Sequence, residues 1–207
     1  MNQYWGVDAD PTAQGRIKGA RPVAVLDIGS NSVRLVVYER HARSLTPLYN
    51  EKTACALGRG LAQTGKIAYE NIDRALTAIQ RFALVSRLMR VGTTHILATS
   101  AVRDACNAAA VLSRVPAETG VKLEVLSGEQ EAILTFLAVR RWYGWSAGRL
   151  LMLDIGGGSL EIAGGIDEEP DAAVSLPLGA GRLTRTWLRS DPPRRRELDE
   201  LREHIEA

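Results

Sequence analysis

Ala24-Val-Leu-Asp-Ile-Gly-Ser-Asn-Ser-Val33 is followed later in the chain by a near copy, Leu151-Met-Leu-Asp-Ile-Gly-Gly-Gly-Ser-Leu160. Each copy is an apolar run ending in Asp-Ile-Gly, then two small residues and a serine, and a second apolar-rich run follows. The repeat predicts two similarly built structural units. The matching positions are Asp27 with Asp154, Gly29 with Gly156, and Ser32 with Ser159.

Both copies have the composition of a phosphate-binding turn. Glycines and small residues let the backbone approach an anion closely, and successive N–H groups in a tight turn form an anion-binding nest. For one turn alone, a plain hairpin explains the glycines equally well, but two copies, each with an aspartate at the strand end, favour binding. We expect the turns to face each other and clamp one phosphorylated substrate. The candidate phosphate-binding residues are Gly29, Ser30, Asn31, Ser32, Gly156, Gly157, Gly158 and Ser159.

The residues after each turn distinguish this motif from common nucleotide-binding fingerprints. In a dinucleotide-binding fold the glycines lead from a strand into a helix. Here they lead into residues 33–37 and 160–163, which alternate or are β-branched and predict strands. The chain also has no Gly-x-x-x-x-Gly-Lys-Ser/Thr sequence. We therefore predict strand–turn–strand units.

An aspartate stands at the end of the first strand in both copies. A carboxylate repels a phosphate unless a cation lies between them, and Mg²⁺ prefers one or two carboxylates plus substrate oxygens. Asp27 and Asp154 therefore indicate a phosphate bridged by Mg²⁺. The alternative is that each aspartate caps its own turn through backbone N–H groups.

Arg103 is a candidate phosphate ligand outside the turns. Thr99 and Ser100 predict a helix start, which places Arg103 in the first turn, where the helix dipole disfavours a cation. Binding a phosphate with its planar fork of donors would explain an arginine there. Pairing with Asp104, or simple exposure to solvent, is the alternative.

Glu131 is a candidate general base. Ser127-Gly-Glu-Gln130 is a capping box, so Glu131 falls in the first turn of a helix. A carboxylate is favoured there by the helix dipole alone. The functional interpretation is a base that orients or deprotonates a water attacking phosphorus. The residues by themselves leave both interpretations open.

The composition is that of an ordinary globular protein, with 207 residues, 45% apolar and 24% charged. The net charge of +2 gives no argument for nucleic acid or a membrane surface, and no apolar run approaches the ~18 residues of a spanning helix. Cys55 and Cys106 lack metal-type spacing, so we expect a reducing cytoplasm. Residues 1–21 have no hydrophobic stretch and predict a flexible polar extension rather than a signal peptide.

Residue periodicity predicts an α/β fold, a mixed sheet with helices. Because far fewer residues follow the second copy than separate the two copies, we expect the second unit to be cut short. The predicted strands cover residues 23–27, 33–39, 45–52, 94–98, 122–126, 149–154, 160–164 and 172–176, and the predicted helices cover 72–87, 101–112, 128–143, 179–188 and 194–207.

Five motifs together resemble the exopolyphosphatase / guanosine pentaphosphate phosphohydrolase (Ppx/GppA) family of the actin, sugar-kinase and heat-shock chaperone superfamily. They occur in the family's order and cover most of the chain. The motifs are Asp27-Ile-Gly-Ser-Asn-Ser32, Ala98-Thr-Ser-Ala-Val-Arg103 with Asn107, Ser127-Gly-Glu-Gln-Glu-Ala132, Asp154-Ile-Gly-Gly-Gly-Ser-Leu-Glu161 and Ser175-Leu-Pro-Leu-Gly-Ala-Gly-Arg-Leu-Thr184.

The resemblance implies an actin-like (ribonuclease H-like) first lobe at residues 22–146 and the start of a similar second lobe at 147–207, with the active site between them. It implies Mg²⁺-dependent hydrolysis of the terminal phosphoanhydride of inorganic polyphosphate, or of the 5′ γ-phosphate of guanosine pentaphosphate. The shorter members of the family resemble polyphosphate enzymes, which favours the first substrate. A cytoplasmic homodimer is compatible with the resemblance.

The resemblance also implies roles for individual residues. Glu131 matches the family's water-activating base, and Arg103 matches its phosphate-binding arginine. Asp154 and Glu161 match the catalytic carboxylates on the metal side. The chain departs from the family at Ile133, where an arginine is usual, at Arg34, where many members have histidine, and in its shorter length.

Two other functions are compatible with these motifs. An ATP-dependent kinase of the same superfamily would transfer phosphate to a sugar or acid acceptor. A non-catalytic module would bind polyphosphate or guanosine tetraphosphate and release no phosphate.

Overall fold

The computed structural model describes residues 21–40, 42 and 45–206, which form two β-sheets with helices packed against them. The extension expected at residues 1–21 lies outside the described residues except for Arg21. None of the helices in the described part of the chain is long and apolar enough to cross a membrane.

The first sheet has five strands: β1 (Val23–Ile28), β2 (Ser32–Tyr38), β3 (Pro47–Ala54), β4 (Thr93–Ala98) and β5 (Leu123–Val125). Their order is β3-β2-β1-β4-β5. The first three strands form an antiparallel meander, and β4 and β5 extend it in parallel from β1. The sheet is therefore mixed, as the sequence predicts.

The second sheet has three strands: β6 (Leu150–Ile155), β7 (Leu160–Gly165) and β8 (Ala172–Leu176). They form an antiparallel meander in sequence order. Both glycine motifs therefore join two antiparallel strands, which confirms the strand–turn–strand prediction.

Seven α-helices lie in the described residues: α1 (Leu61–Thr64), α2 (Tyr69–Leu88), α3 (Ser100–Asp104), α4 (Ala109–Thr119), α5 (Gly128–Trp142), α6 (Ala180–Trp187) and α7 (Arg195–Glu206). A short 3₁₀ turn covers Trp145–Ala147. The short helix α1 was not predicted.

The single helix predicted over residues 101–112 is wrong, because α3 and α4 are separate helices. Hydrogen bonds to a distant loop replace helical ones at the break. The Cys106 N–H donates to the Gly65 carbonyl at 2.9 Å. The Asn107 side chain accepts from the Ile67 N–H and donates to the Ile67 carbonyl, both at 2.9 Å.

The main hydrophobic core lies between α2 and the first sheet. Ile72, Leu76, Ile79 and Phe82 recur at helical spacing along α2, and all four are buried. Burying each such side chain stabilises the fold by about 1.5–3 kcal/mol. A smaller core joins α5 to the second sheet, through a cluster that includes Ala132, Phe136, Met152 and Ala163.

The sequence repeat is also a structural repeat. In the first copy the Gly29 N–H donates to the Ser32 carbonyl at 3.0 Å, and in the second the Gly156 N–H donates to the Ser159 carbonyl at 2.9 Å. Each turn therefore closes through backbone atoms at equivalent positions. This places each aspartate at the same point of its strand.

Candidate active site

The two glycine turns lie against each other. A Cβ atom built on Gly157 would lie 3.4 Å from the Ser30 Cβ, which is ordinary contact. One built on Gly158 would lie only 2.4 Å from the Ser100 Oγ and 2.6 Å from the Ser30 Oγ. These two hydroxyls are themselves hydrogen-bonded at 2.7 Å. A side chain at position 158 would have to displace these two hydroxyls, so glycine there permits the close approach of the second turn to Ser30 and Ser100.

The tips of both turns present backbone donors. Within the residues that the structure describes, no hydrogen-bond acceptor is recorded for the N–H groups of Ser30, Asn31, Gly157 and Gly158. Successive N–H groups without acceptors are the donors of an anion nest. The turns thus have the donors that a phosphate needs, at the positions that the sequence predicts.

The segment after the third strand of each copy returns to the turn of that copy. The Gly58 N–H donates to the Ser30 carbonyl at 2.7 Å, and the Ala180 N–H donates to the Gly156 carbonyl at 2.9 Å. Gly179 approaches most closely, because a Cβ there would lie 2.3 Å from the Gly158 carbonyl carbon. These backbone hydrogen bonds and close contacts fix the position of each turn.

Arg103 and Glu131 lie together. The Arg103 Nη1 is 3.1 Å from the Glu131 Oε2 and also donates to the Leu126 carbonyl at 3.0 Å. Arg103 also lies near the second sheet. A Cβ built on Gly128 would lie 3.8 Å from the Arg103 Nη2 and 2.5 Å from the Cβ of Ser175, which belongs to β8. Because Ser100 of α3 contacts the second turn at Gly158, the pair is close to both turns.

The dipole argument for Arg103 is wrong. The helix α3 has five residues, and Arg103 lies in its last turn as much as in its first. A helix that short has no extended positive end to repel a cation. The alternative pairing with Asp104 is present but long, at 3.7 Å from Arg103 Nε to Asp104 Oδ1. The stronger partner of Arg103 is Glu131.

Glu131 is held by the helix start that the sequence predicts. The Ser127 Oγ accepts from the Gln130 N–H at 3.1 Å, and the Gln130 side chain accepts from the Ser127 N–H at 2.8 Å. Burial raises the pKa of the Glu131 carboxyl above its ordinary value, and the nearby carboxylates of Glu161 and Asp27 raise it further. The hydrogen bond from Arg103 lowers the pKa in part. A carboxylate with a raised pKa is a stronger base.

Asp27 and Asp154 occupy equivalent places in the two copies. Burial raises the pKa of Asp27, Arg34 and Lys52 lower it, and the Asp154 carboxylate raises it. In the second copy Asp154 pairs directly across the strands with Glu161. No group of three or more metal-ligating side chains occurs in the described part of the chain. Two carboxylates plus substrate oxygens are nevertheless a normal set for Mg²⁺, so these residues fit that ion.

Glu161 is almost fully buried, with 1% of its surface exposed. Its Oε1 accepts a hydrogen bond from the Ser175 Oγ at 2.7 Å. A buried carboxylate is held in place by such a bond, and its charge acts on Glu131 nearby. Glu161 is thus next to the candidate base.

Asp104 and Arg182 form a contact within the site that the sequence did not predict. Asp104 on α3 forms an ion pair with Arg182 on α6, and the Arg182 Nε donates to the Gly158 carbonyl at 2.9 Å. The pair therefore joins the helix that carries Arg103 to the second turn. Arg182 lies in a motif that carried the resemblance, but its spacing gives no hint of a partner on α3.

The chemistry of these groups suits hydrolysis at phosphorus. Glu131 can orient a water, while Arg103 and the N–H groups of the turns can stabilise negative charge on a phosphoryl group. The described residues bring Arg103 and Glu131 together, with the carboxylates of Asp27 and Glu161 near Glu131 and that of Asp154 near Asp27.

The sequence profile of the Ppx/GppA phosphatase family matches residues 36–207. "Exopolyphosphatase 1" of Mycobacterium tuberculosis is 52% identical over 186 residues, which cover 89% of this chain and 54% of the relative. The chain thus spans about half the length of the curated relatives it matches.

Solved structures show the same similarity. A crystal structure of an exopolyphosphatase from Cytophaga hutchinsonii has a TM-score of 0.81 at 29% identity, covering 90% of this chain and 60% of the other. The crystal structure of the Aquifex aeolicus member of the Ppx/GppA family has a TM-score of 0.73 at 31% identity, with the same coverage of 90% and 60%. The fold is the actin-like α/β fold of these proteins.

Proposed function

This chain belongs to the Ppx/GppA phosphatase family, and from that premise we propose that it acts as an exopolyphosphatase. The reaction is hydrolysis of the terminal phosphoanhydride bond of inorganic polyphosphate, with release of orthophosphate. The relatives named exopolyphosphatase support this substrate over guanosine pentaphosphate.

The observation that carries the proposal is the Arg103–Glu131 pair beside two facing turns with backbone donors. Glu131 orients a water and accepts its proton as the oxygen attacks the terminal phosphorus. Arg103 and the N–H groups of Ser30, Asn31, Gly157 and Gly158 stabilise the charge on the transferred phosphoryl group. The shortened polyphosphate chain is the leaving group.

Asp27 and Asp154 are the residues that would hold Mg²⁺. Their carboxylates are close enough for one to raise the pKa of the other, and a cation between them would remove that repulsion. When bound, the ion would neutralise charge on the phosphate oxygens. Glu161, across the strand pair from Asp154, adds a third negative charge beside this position.

The lobe boundary at residues 146/147 is part of the proposal. It places α5 in the first lobe, although α5 packs on the second sheet through Ala132 and Phe136.

A cytoplasmic location is supported by Cys55 and Cys106, which are both free thiols. The homodimer stays a prediction.

Phosphate release by the purified chain tests the function. A malachite-green assay on tripolyphosphate and on long-chain polyphosphate, with Mg²⁺ and with a chelator, should show release only with the metal. Release from guanosine pentaphosphate alone would replace the proposed substrate. Tight binding of polyphosphate with no release under any condition would make the chain a binding module instead.

A further inference from the structure

Glu161 has a single hydroxyl group as its hydrogen-bond donor. The Glu161 side chain is almost completely buried, and the Ser175 Oγ donates to its Oε1 at 2.7 Å. In the part of the chain that the structure describes, this is the one hydrogen bond recorded for that carboxylate. A buried charge has lost its hydration, so removal of its donor is costly. Ser175 belongs to a motif that carried the family resemblance, but the proposed function gives it no role.

Strand pairing brings these two side chains together. Glu161 on β7 and Ser175 on β8 are directly opposite each other in the antiparallel register. Residues opposite each other on neighbouring strands project from the same face of the sheet. Ala163, two residues after Glu161, projects from this face too and belongs to the core that α5 covers. Glu161 and Ser175 are therefore on the face toward α5, the helix that carries Glu131.

Ser175 also contacts the first residue of α5. A Cβ atom built on Gly128 would lie 2.5 Å from the Ser175 Cβ and 2.9 Å from its Oγ, so glycine at position 128 lets the helix approach the strand. Glu131 follows Gly128 by three residues and lies on the same side of the helix, one turn on. The serine therefore contacts both the buried carboxylate and the helical turn that carries the candidate base.

Arg103 offers Glu161 an alternative partner. The Arg103 Nη1 donates to Glu131, but within the described residues no acceptor is recorded for its Nη2. That nitrogen lies 3.8 Å from the Cβ position of Gly128 that Ser175 also contacts. Burial raises the pKa of Glu131 and the Glu161 charge raises it further, so the two carboxylates are near each other as well. Without the serine hydroxyl, the Arg103 Nη2 is a cationic donor toward which Glu161 would turn.

We propose that Ser175 is a positioning residue, whose hydroxyl keeps the Glu161 carboxylate turned away from Arg103. Arg103 then stays paired with Glu131 and orients it. In Ser175→Ala, Glu161 would compete with Glu131 for the guanidinium, and the base would lose the group that orients it. The catalytic role of the Arg103–Glu131 pair rests on the proposed function, whereas the effect of Ser175 on the pairing can be measured without it.

The strength of the Arg103–Glu131 pair tests the proposal without turnover. A double-mutant cycle of Arg103→Gln and Glu131→Gln in urea unfolding measures their coupling, first in the unmodified chain and then with Ser175→Ala. We expect Ser175→Ala to reduce the coupling to about half or less. Ser86→Ala is the matched control, because Ser86 is a buried serine on α2 that donates to the Phe82 carbonyl at 2.9 Å. It should leave the coupling unchanged.

Removal of the Glu161 charge separates positioning from packing. In a Glu161→Gln background no carboxylate at this position competes for Arg103, so Ser175→Ala should leave the Arg103–Glu131 coupling unchanged. A serine that only packs β8 against α5 would weaken the pair equally in both backgrounds, and that result would overturn the proposal.

Kinetics with tripolyphosphate provide a second measurement. Ser175→Ala should lower kcat about tenfold and leave KM within about twofold of its normal value, because the turns that bind the substrate are unchanged. Ser86→Ala should leave both constants unchanged. A raised KM at normal kcat, or an Arg103–Glu131 coupling that Ser175→Ala does not alter, would contradict the positioning role. If the unmodified chain releases no phosphate but Ser175→Ala still weakens the pair, the exopolyphosphatase proposal fails and the role of Ser175 stands.

Discussion

Arg103 and Glu131 approach to 3.1 Å between Nη1 and Oε2, although α3 and α5 are separate helices. The side chains are partly buried, with 23% and 19% of their surfaces exposed. An ion pair at this depth is screened less than one on the surface. The pair therefore places a base and a cation side by side at the edge of the two turns.

Replacing Glu131 with glutamine should reduce phosphate release by about 10²- to 10⁴-fold, because the amide cannot accept a proton from the attacking water. Polyphosphate binding should remain, since Arg103 and the turns are unchanged. Glu129→Gln is the matched control, because Glu129 is in the same helical turn but exposed. Turnover of the Glu131 variant at more than a tenth of the normal rate would contradict its role.

The pH profile of kcat/KM should report the ionisation of Glu131. The base works only when ionised, so activity is lost as pH falls through its pKa. Burial raises this pKa above the ordinary value of 4.5, so the acidic limb should lie above that pH. Arg103→Gln removes a hydrogen bond that lowers the pKa and should move the limb further upward. A ¹³C NMR titration of the glutamate carboxyls checks the same shift without turnover.

Gly179→Ala should destabilise the second turn. The added methyl group would lie 2.4 Å from the Ser159 nitrogen and equally close to Gly158, so backbone atoms must move. We expect a loss of about 1–3 kcal/mol in urea unfolding together with loss of phosphate release. Gly144→Ala is the control, because its nearest neighbour would be the Ser146 Oγ at 3.8 Å. Normal stability of the Gly179 variant would contradict the close packing of Gly179 against Gly158 and Ser159.

Asp104→Asn should weaken the link between α3 and α6. The two side chains are about a quarter to a third exposed, with values of 35% for Asp104 and 24% for Arg182. Solvent screening limits the expected loss to about 0.5–1 kcal/mol. A double-mutant cycle with Arg182→Gln measures the coupling. The exposed pair of Arg149 and Asp171 should give a coupling near zero, and equal couplings for the two pairs would contradict the bridging role.

The outer face of β6 predicts self-association. Leu151, Leu153 and Ile155 are 69%, 59% and 64% exposed, and β6 is an edge strand of its sheet. Leu153→Lys should cost less than about 0.5 kcal/mol and reduce concentration-dependent association in sedimentation velocity. Met152→Lys is the opposite case, because Met152 is 4% exposed and packs toward α5. It should cost about 2–5 kcal/mol.

The parts of the fold that depend on local sequence were predictable. The strands on either side of each turn and the capping box at Ser127 follow from periodicity and from residues within four positions of each other. The break between α3 and α4 was not predictable in this way. It depends on hydrogen bonds from Cys106 and Asn107 to Gly65 and Ile67, far away in sequence.

The same division holds for the site. Arg103 and Glu131 were found because each lies near a helix start and matches a family motif. Arg182 lies in a motif too, but its function depends on Asp104 on another helix. An ion pair between two helices that are distant in sequence leaves no local sequence pattern. The pair of Asp104 and Arg182 is therefore visible only in the three-dimensional structure.

Asp104 contacts two arginines of the site. It lies near Arg103 of its own helix and forms an ion pair with Arg182 of α6. If the two sheets moved apart, Asp104 would lose Arg182 and its freed carboxylate would compete with Glu131 for Arg103. With the two sheets apart, the Arg103 guanidinium would then be neutralised by Asp104 instead of by Glu131. The link between α3 and α6 and the charge balance at Arg103 thus depend on one carboxylate, that of Asp104.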